Sequence, residues 1–172
     1  MTNEVLDVIK SRRSVRAYKK DAVSEELINA VVEAGTYAPT GRGLQSPTIV
    51  AVTSEKYRKI ISELNANVLG KDCDPYYGAP VIILVLANKN VNTCVEDGSC
   101  VLENMMLAAA SLNLGSVWVH REKEIFDGEE GKKLLKEWGL SEDLIGVGSI
   151  ALGYPQSVGK AAERKANYVV RV

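Results

Sequence analysis

The chain is poor in the residues that carry most side-chain chemistry. Among its 172 residues the only cysteines are Cys73, Cys94 and Cys100, and the only histidine is His120. An odd cysteine number without a CxxC pair points to neither a disulfide framework nor a zinc knuckle. One histidine cannot build a metal site alone, and no Asp/Glu spacing around it supplies the missing ligands, so no metal is expected. No GxSxG elbow accompanies His120, which leaves a Ser-His-Asp triad unsupported. With 21 basic and 22 acidic side chains the net charge is −1, and no global field favours nucleic acid or an anionic membrane. The longest apolar run, Val81 to Ala87, is far too short to span a bilayer. The charged start, with Glu4, Asp7, Lys10, Arg12 and Arg13, lacks the apolar core of a signal peptide. The expected compartment is therefore the cytoplasm, with no nucleic acid and no membrane as partner. GxxxxGK[ST] is missing, which removes a P-loop. Gly146 to Ala151 matches GxGxxA formally, but that fingerprint opens a helix after a strand, whereas this segment reads as the strand itself.

What is present describes an ordinary globular chain. Apolar residues make up 46% and charged residues 25%, as in soluble proteins generally. A chain of this length forms one domain, 1–172, burying about 70% of its unfolded surface. Residues 3–12 read as a helix with Val5, Leu6 and Ile9 on one face. Ser24 is an N-cap followed by Glu25 and Glu26, where acids suit the helix dipole. Leu27, Ile28, Val31 and Val32 form the buried stripe, and Gly35 suits the C′ position. Thr48 to Thr53 is β-branched and strand-like, and Ser54 caps a third helix with Tyr57, Ile60, Ile61 and Leu64 apolar. The stretch from Asn65 to Pro80 is the longest loop candidate.

Val81 to Ala87 shows no alternation and reads as a strand buried on both faces. The segment from Glu96 to Leu114 is a helix apolar on nearly every side, hence buried all round. It suits the centre of a monomer and the core of a dimer interface equally. Ser116 to His120 and Val147 to Leu152 read as strands, with a last one at Tyr168 to Val172. Asp127 with Glu130 resembles a capping box for a helix to Trp138, ended by Gly139. Cys100, Met105 and Met106 read as core filler. Strands alternating with helices indicate an α+β, α/β-like fold with a central sheet.

One short stretch carries a chemical signal of its own. Arg12-Arg13-Ser14-Val15-Arg16 places three guanidinium groups and a hydroxyl directly after a helix. Guanidinium forks match phosphate oxygens bidentately and stay charged at any working pH. The same arginines also suit a helix C-terminus, where cations complement the dipole. Further along, Ala38-Pro39-Thr40-Gly41-Arg42-Gly43-Leu44-Gln45-Ser46-Pro47 follows the second helix. Glycines there let a backbone approach a planar ligand and offer unobstructed N–H donors.

These segments recur in a telling order. The basic stretch and the glycine loop are followed by Tyr77-Gly78-Ala79-Pro80 leading into a strand. Then come the helix containing Leu102-Glu103-Asn104-Met105-Met106-Leu107, Trp118 beyond Gly115, Gly148 to Pro155, and a basic tail with Arg164 and Lys165. In this order and spacing the chain resembles the FMN-dependent nitroreductase family from about residue 4 to 165.

The resemblance implies a nitroreductase-like fold, with a mixed, mainly antiparallel sheet flanked by helices. It further implies a homodimer with the flavin at the interface. Arg12, Arg13, Ser14 and Arg16, with Arg164 and Lys165 from the tail, would hold the FMN phosphate. Pro39, Thr40, Gly41 and Gln45 would meet the ring from one side, and Trp118, Val119 and His120 from the other. No side-chain nucleophile is required, because the flavin carries the chemistry. Two departures stand out. Gly43 replaces the family's asparagine, and His120 falls where the family often carries a glutamate near the reactive nitrogen, which makes it a candidate proton donor. The chain has little room for the helical insertion of larger members, so an open substrate site is implied. The expected activity is electron transfer from NADH or NADPH through FMN to a nitroaromatic or quinone, by a ping-pong mechanism. Two alternatives stay open: a specialised flavoprotein that oxidises or fragments its substrate, and a non-catalytic module that binds a phosphorylated ligand.

Overall fold

In the computed structural model, which describes residues 2–172, the local signals become six α-helices and four β-strands. In chain order they begin with helix α1 (Glu4–Ser11), helix α2 (Glu25–Thr36), strand β1 (Pro47–Val52), helix α3 (Glu55–Leu69), strand β2 (Val81–Asn88), helix α4 (Cys94–Ser111) and strand β3 (Gly115–Val119). Helices α5 (Glu122–Asp127) and α6 (Glu129–Glu137) and strand β4 (Leu144–Gly153) complete the order. The strands form one sheet in the order β1-β2-β4-β3. Every strand pair is antiparallel. The mixed character is confined to one parallel bridge between Ser14 and Ser116.

Sheet position follows from side-chain character. β2 and β4 are central and buried nearly throughout, as unbroken apolar runs require when both faces are covered. One face of the sheet packs on α3, α5 and α6 through Ile61, Leu84, Phe126 and Leu135. The other packs on α2 and α4 through Val31, Ile83, Met105 and Ile150. Period-two alternation splits β3 between these layers. Val117 and Val119 join the first, and Trp118 joins the second. Trp118 gains room because Gly148 has no side chain; a Cβ there would lie 2.7 Å from the indole nitrogen.

Several sequence expectations are corrected by packing. Gly35 is not a C′ residue. It lies inside α2, where a Cβ would come within 2.8 Å of Met105 Cγ, so it serves close helix–helix contact. The helix expected from an Asp127 cap to Trp138 is α6, but Gly128 holds its N-cap position and Asp127 ends α5 instead. The expected loop 65–80 is helical up to Leu69, and the turn begins at Gly70 in the left-handed region, φ 68°.

Helix α4 is not buried all round either. Val95 is 50% exposed, Glu103 and Ser111 are exposed, and Leu107 and Ala108 are half-buried. Helix α1 likewise buries no residue. Residues 168–172 form no strand and are exposed; they pair with neither edge of the sheet. Among the described residues no helix is long and apolar enough to cross a membrane.

Candidate active site

The basic stretch owes its position to its flanks. Asn3 caps α1 by accepting the Leu6 N–H at 2.9 Å, and the helix ends where Arg12 turns extended. From there the chain runs beside β3, with the Val15 N–H donating to the Ser116 carbonyl at 3.0 Å. Val15 is buried and fills the space left by Gly115. Beyond β4, the Gln156 N–H donates to the Ala17 carbonyl at 2.8 Å, and the Lys19 N–H to the Tyr154 carbonyl at 2.9 Å. The buried Tyr18 hydroxyl lies 2.8 Å from the Val15 carbonyl and 3.0 Å from that of Ala151. Burial pushes its pKa up, which keeps it a donor. These bonds turn the tail back along residues 14–19 and bring Arg164 beside the start of the chain.

The result is a cleft of about 590 Å³ lined by Ile9, Lys10, Arg12, Arg13, Ser14, Ala161, Ala162 and Arg164. Its lining carries four cations and no carboxylate, a local positive field in a chain whose net charge is −1. The arginines are not equivalent. Arg13 donates Nη1 to the Lys10 and Arg12 carbonyls, both at 2.7 Å, and so closes the end of α1. Arg12 Nη1 is buried and has no hydrogen-bond partner. Its Nε reaches Glu103 only at 3.9 Å. A buried cationic donor without a partner is costly, which sets Arg12 apart from the other cations of the cleft. Arg16 and Lys165, expected in the same cluster, are exposed and are not among the lining residues.

The glycine loop is built from the opposite end of α4. The Gly41 N–H donates to Asp97 Oδ1 at 2.9 Å, and the Thr93 hydroxyl donates to Asp97 Oδ2 at 3.1 Å. A Cβ on Gly41 would collide with Thr93 Oγ1 at 2.3 Å, so only glycine fits. Beyond it Arg42, Gly43 and Gln45 all have positive φ, at 57°, 67° and 49°. For Arg42 and Gln45 this is an unfavourable backbone region. The Gln45 N–H donates to the Thr40 hydroxyl at 3.0 Å and the Gly43 N–H to the Thr40 carbonyl at 3.0 Å, which hold the turn.

Thr40 and Gln45 border a second cavity of about 300 Å³ with an otherwise largely apolar lining that includes Val32, Ala38, Ile49 and Val101. Pro39 is exposed and Gly41 half-buried beside it. Within one chain this cavity is separate from the cationic cleft. Trp118 is half-buried, Val119 points into the α3 layer, and His120 is exposed at the end of β3.

Two further groups were invisible to sequence reading. Asp97 reads as a helical acid until the fold brings Gly41 to it. Behind β3 lies a polar cluster of Asn65, Tyr76, Glu122 and Ser149, all at most 1% exposed. The Tyr76 hydroxyl donates to Glu122 Oε1 at 2.8 Å, and the Ser149 hydroxyl to the same oxygen at 2.5 Å. Glu122 Oε2 has no partner. Burial raises the Glu122 pKa above the ordinary glutamate value, and its hydroxyl partners only partly offset this. Polar residues scattered over four segments give no local pattern that would have revealed the cluster.

The molecule is an α+β layered sheet with a basic cleft and a separate, largely apolar slot, a combination suited to an anionic, part-planar ligand. Comparison with known proteins narrows that class. The nitroreductase family model matches residues 9–154. A relative from Archaeoglobus fulgidus, described as an NADH dehydrogenase/NAD(P)H nitroreductase, is 31% identical over 157 residues, covering 89% of this chain and 86% of its own. A Bacteroides fragilis nitroreductase solved with bound FMN superposes with a TM-score of 0.92 at 31% identity, over 99% of this chain and 100% of that one. A Desulfovibrio desulfuricans nitroreductase in complex with FMN gives 0.74 at 30% identity, over 96% and 94%. The chain belongs to the nitroreductase family, and it is a nitroreductase-type oxidoreductase.

Proposed function

We propose that residues 1–172 form one FMN-binding domain that moves electrons from NADH or NADPH to an electron-poor small molecule, a nitroaromatic or a quinone, by a ping-pong mechanism. The observation that carries this reading is the buried, unpartnered Arg12 Nη1 in a cleft completed by Ser14 and Arg164. Such a donor set fits a terminal phosphate. Arg12 supplies the fork, Ser14 a hydroxyl, and Arg164 a second cation that the tail brings across the cleft. Lys165 and Arg16 stand outside this cradle and contribute through longer-range charge. FMN, when bound, supplies the hydride-accepting and electron-donating chemistry.

The protein's part is placement. Arg13 fixes the end of α1 so that Arg12 faces the cleft. The loop Pro39-Thr40-Gly41, held from behind by Asp97, offers backbone and the Gln45 amide to a ring edge. The backbone of Trp118, Val119 and His120 supplies the other side, and His120 is the candidate proton donor there, in the position of the family's glutamate. The small-molecule acceptor enters an open site, since no helical insertion covers it.

A homodimer completes this arrangement. The cationic cleft and the apolar slot are separate in one chain, and a second copy placed on α1 and α4 joins one chain's cleft to the other's slot. A groove of about 450 Å³ lined by Val5, Val8, Ile9, Tyr37, Leu107 and Ala108 supports that reading. Val5 is 67% exposed and Tyr37 77%, a large apolar area for a free surface. The proposed compartment is the cytoplasm. Mass spectrometry of ligand released from purified protein is expected to give FMN, and NADH or NADPH is expected to bleach its yellow absorption. Colourless protein that takes up no FMN refutes the proposal.

A further inference from the structure

The turn that carries His120 is held from behind by buried polar residues. β3 ends at Val119, and the next residues reverse direction into α5. Arg121 makes the reversal with φ 91° and ψ 6°, a left-handed conformation that a residue with a side chain adopts only under constraint. The constraint is Asn65, fully buried on α3. Its side-chain amide donates to the His120 carbonyl at 2.8 Å. Its carbonyl accepts from Arg121 Nε at 2.8 Å. One side chain thus grips both residues of the turn. Asn65 is fixed in its turn by the Tyr76 hydroxyl at 3.3 Å and by Glu122 Oε1 at 3.4 Å. Ser149, on β4, ties the same carboxyl group to the sheet.

We propose that Asn65, braced by Tyr76, Glu122 and Ser149, is a positioning residue for the His120–Arg121 turn, and through it sets where the His120 imidazole stands at the flavin site. This rests on the reading that His120 flanks the ring. Four observations carry it. The cluster residues are buried on the sheet layer opposite α4. Their bonds converge on one turn. That turn is strained. It carries the chain's only histidine.

Because there is one histidine, its imidazole Cε1–H gives one proton NMR signal to follow. The experiment compares that signal, with and without added FMN, in wild-type protein, Asn65→Ala, Arg121→Ala and Arg121→Gly. In the wild type we expect a single apoprotein signal that FMN shifts. In Asn65→Ala the signal is expected to split or broaden, the FMN-induced shift to fall by about half or more, and flavin reduction to slow roughly tenfold as a positioned group is lost. FMN affinity, set by the Arg12 cradle, is expected to change much less. Arg121→Ala, a partly exposed change that leaves the core intact, is expected to disturb the signal because alanine resists positive φ. Arg121→Gly removes the same bond but accepts that backbone, so it is expected to stay nearer wild type. An FMN effect on His120 that survives unchanged in Asn65→Ala and Arg121→Ala overturns this proposal alone. Absence of any FMN effect on His120 in wild-type protein that binds FMN overturns both this proposal and the ring-side assignment.

Discussion

Asp97 and Gly41 are 56 residues apart and meet in one hydrogen bond, the buried carboxylate accepting the glycine N–H at 2.9 Å. The contact ties the first turn of α4 to a loop with three positive-φ residues, and it explains why an exposed, strained segment keeps one shape. Asp97→Ala leaves that N–H unpaired and frees the loop. Hydrogen bonds to charged groups contribute about 1.5–3 kcal/mol, so the variant is expected to melt several degrees lower. Amide exchange at residues 41–45 is expected to accelerate, while exchange in β2 and β4 tracks only the global loss. Asp97→Asn keeps an acceptor and is expected to fall between.

Arg12→Ala is expected to weaken FMN binding far more than Arg42→Ala. Losing both arms of one fork costs roughly 3 kcal/mol, over a hundredfold in affinity. Arg12→Lys keeps the charge without the fork and is expected to be intermediate. Arg42 is exposed and makes no contact with the cationic cleft, so its loss is expected to raise the Michaelis constant for NADH or NADPH instead. Flavin titration of apoprotein checks the order, and a tighter grip in Arg12→Ala than in Arg42→Ala reverses the phosphate assignment.

Sedimentation is expected to show a dimer at micromolar concentration with an interface above ~2,000 Å². Leu107→Glu places a charge in the groove between α1 and α4 without entering either core layer. It is expected to give folded monomer with weakened FMN binding. A dimer that withstands this change places the interface elsewhere.

Glu122 makes stability depend on pH in a definite direction. A carboxyl group whose pKa is raised by burial binds its proton more tightly in the folded state. Its contribution is therefore complete below the ordinary glutamate range and is lost as pH rises through the raised value. Glu122→Gln has no proton to lose. The melting temperature of the wild type is expected to fall relative to Glu122→Gln as pH is raised from about 4 to 8. Parallel curves would show that the group stays in one ionisation state.

Helices α2 and α3 were legible because their signals lie within a turn or two: Ser24 accepts the Leu27 N–H at 3.3 Å, and Ser54 holds the N-cap position of α3. β2 was legible from its unbroken apolar run. The Asp127–Glu130 pair misplaces the N-cap of α6 by one residue because Asp127 closes α5, and Gly131 packs against that helix where a Cβ would lie 2.1 Å from the Ile125 carbonyl. Gly35 misled for a related reason, since a glycine required by packing looks the same in sequence as one required by a turn. The expected strand at residues 168–172 has suitable β-branched residues, but propensity supplies no partner.

By itself, then, the sequence determined the kinds of element, their order, and the local store of guanidinium groups around Ser14, all effects of residues a few positions apart. Only the tertiary structure decided which cations converge: Arg164 lines the same cleft as Arg12 because the Gln156–Ala17 and Lys19–Tyr154 bonds turn the tail back, while Arg16, only four residues from Arg12, does not line the cleft. Only it joined Asp97 to Gly41 and Asn65 to His120. Hydrogen bonds of that span depend on where the sheet and its two helical layers bring the chain, and no local pattern encodes them.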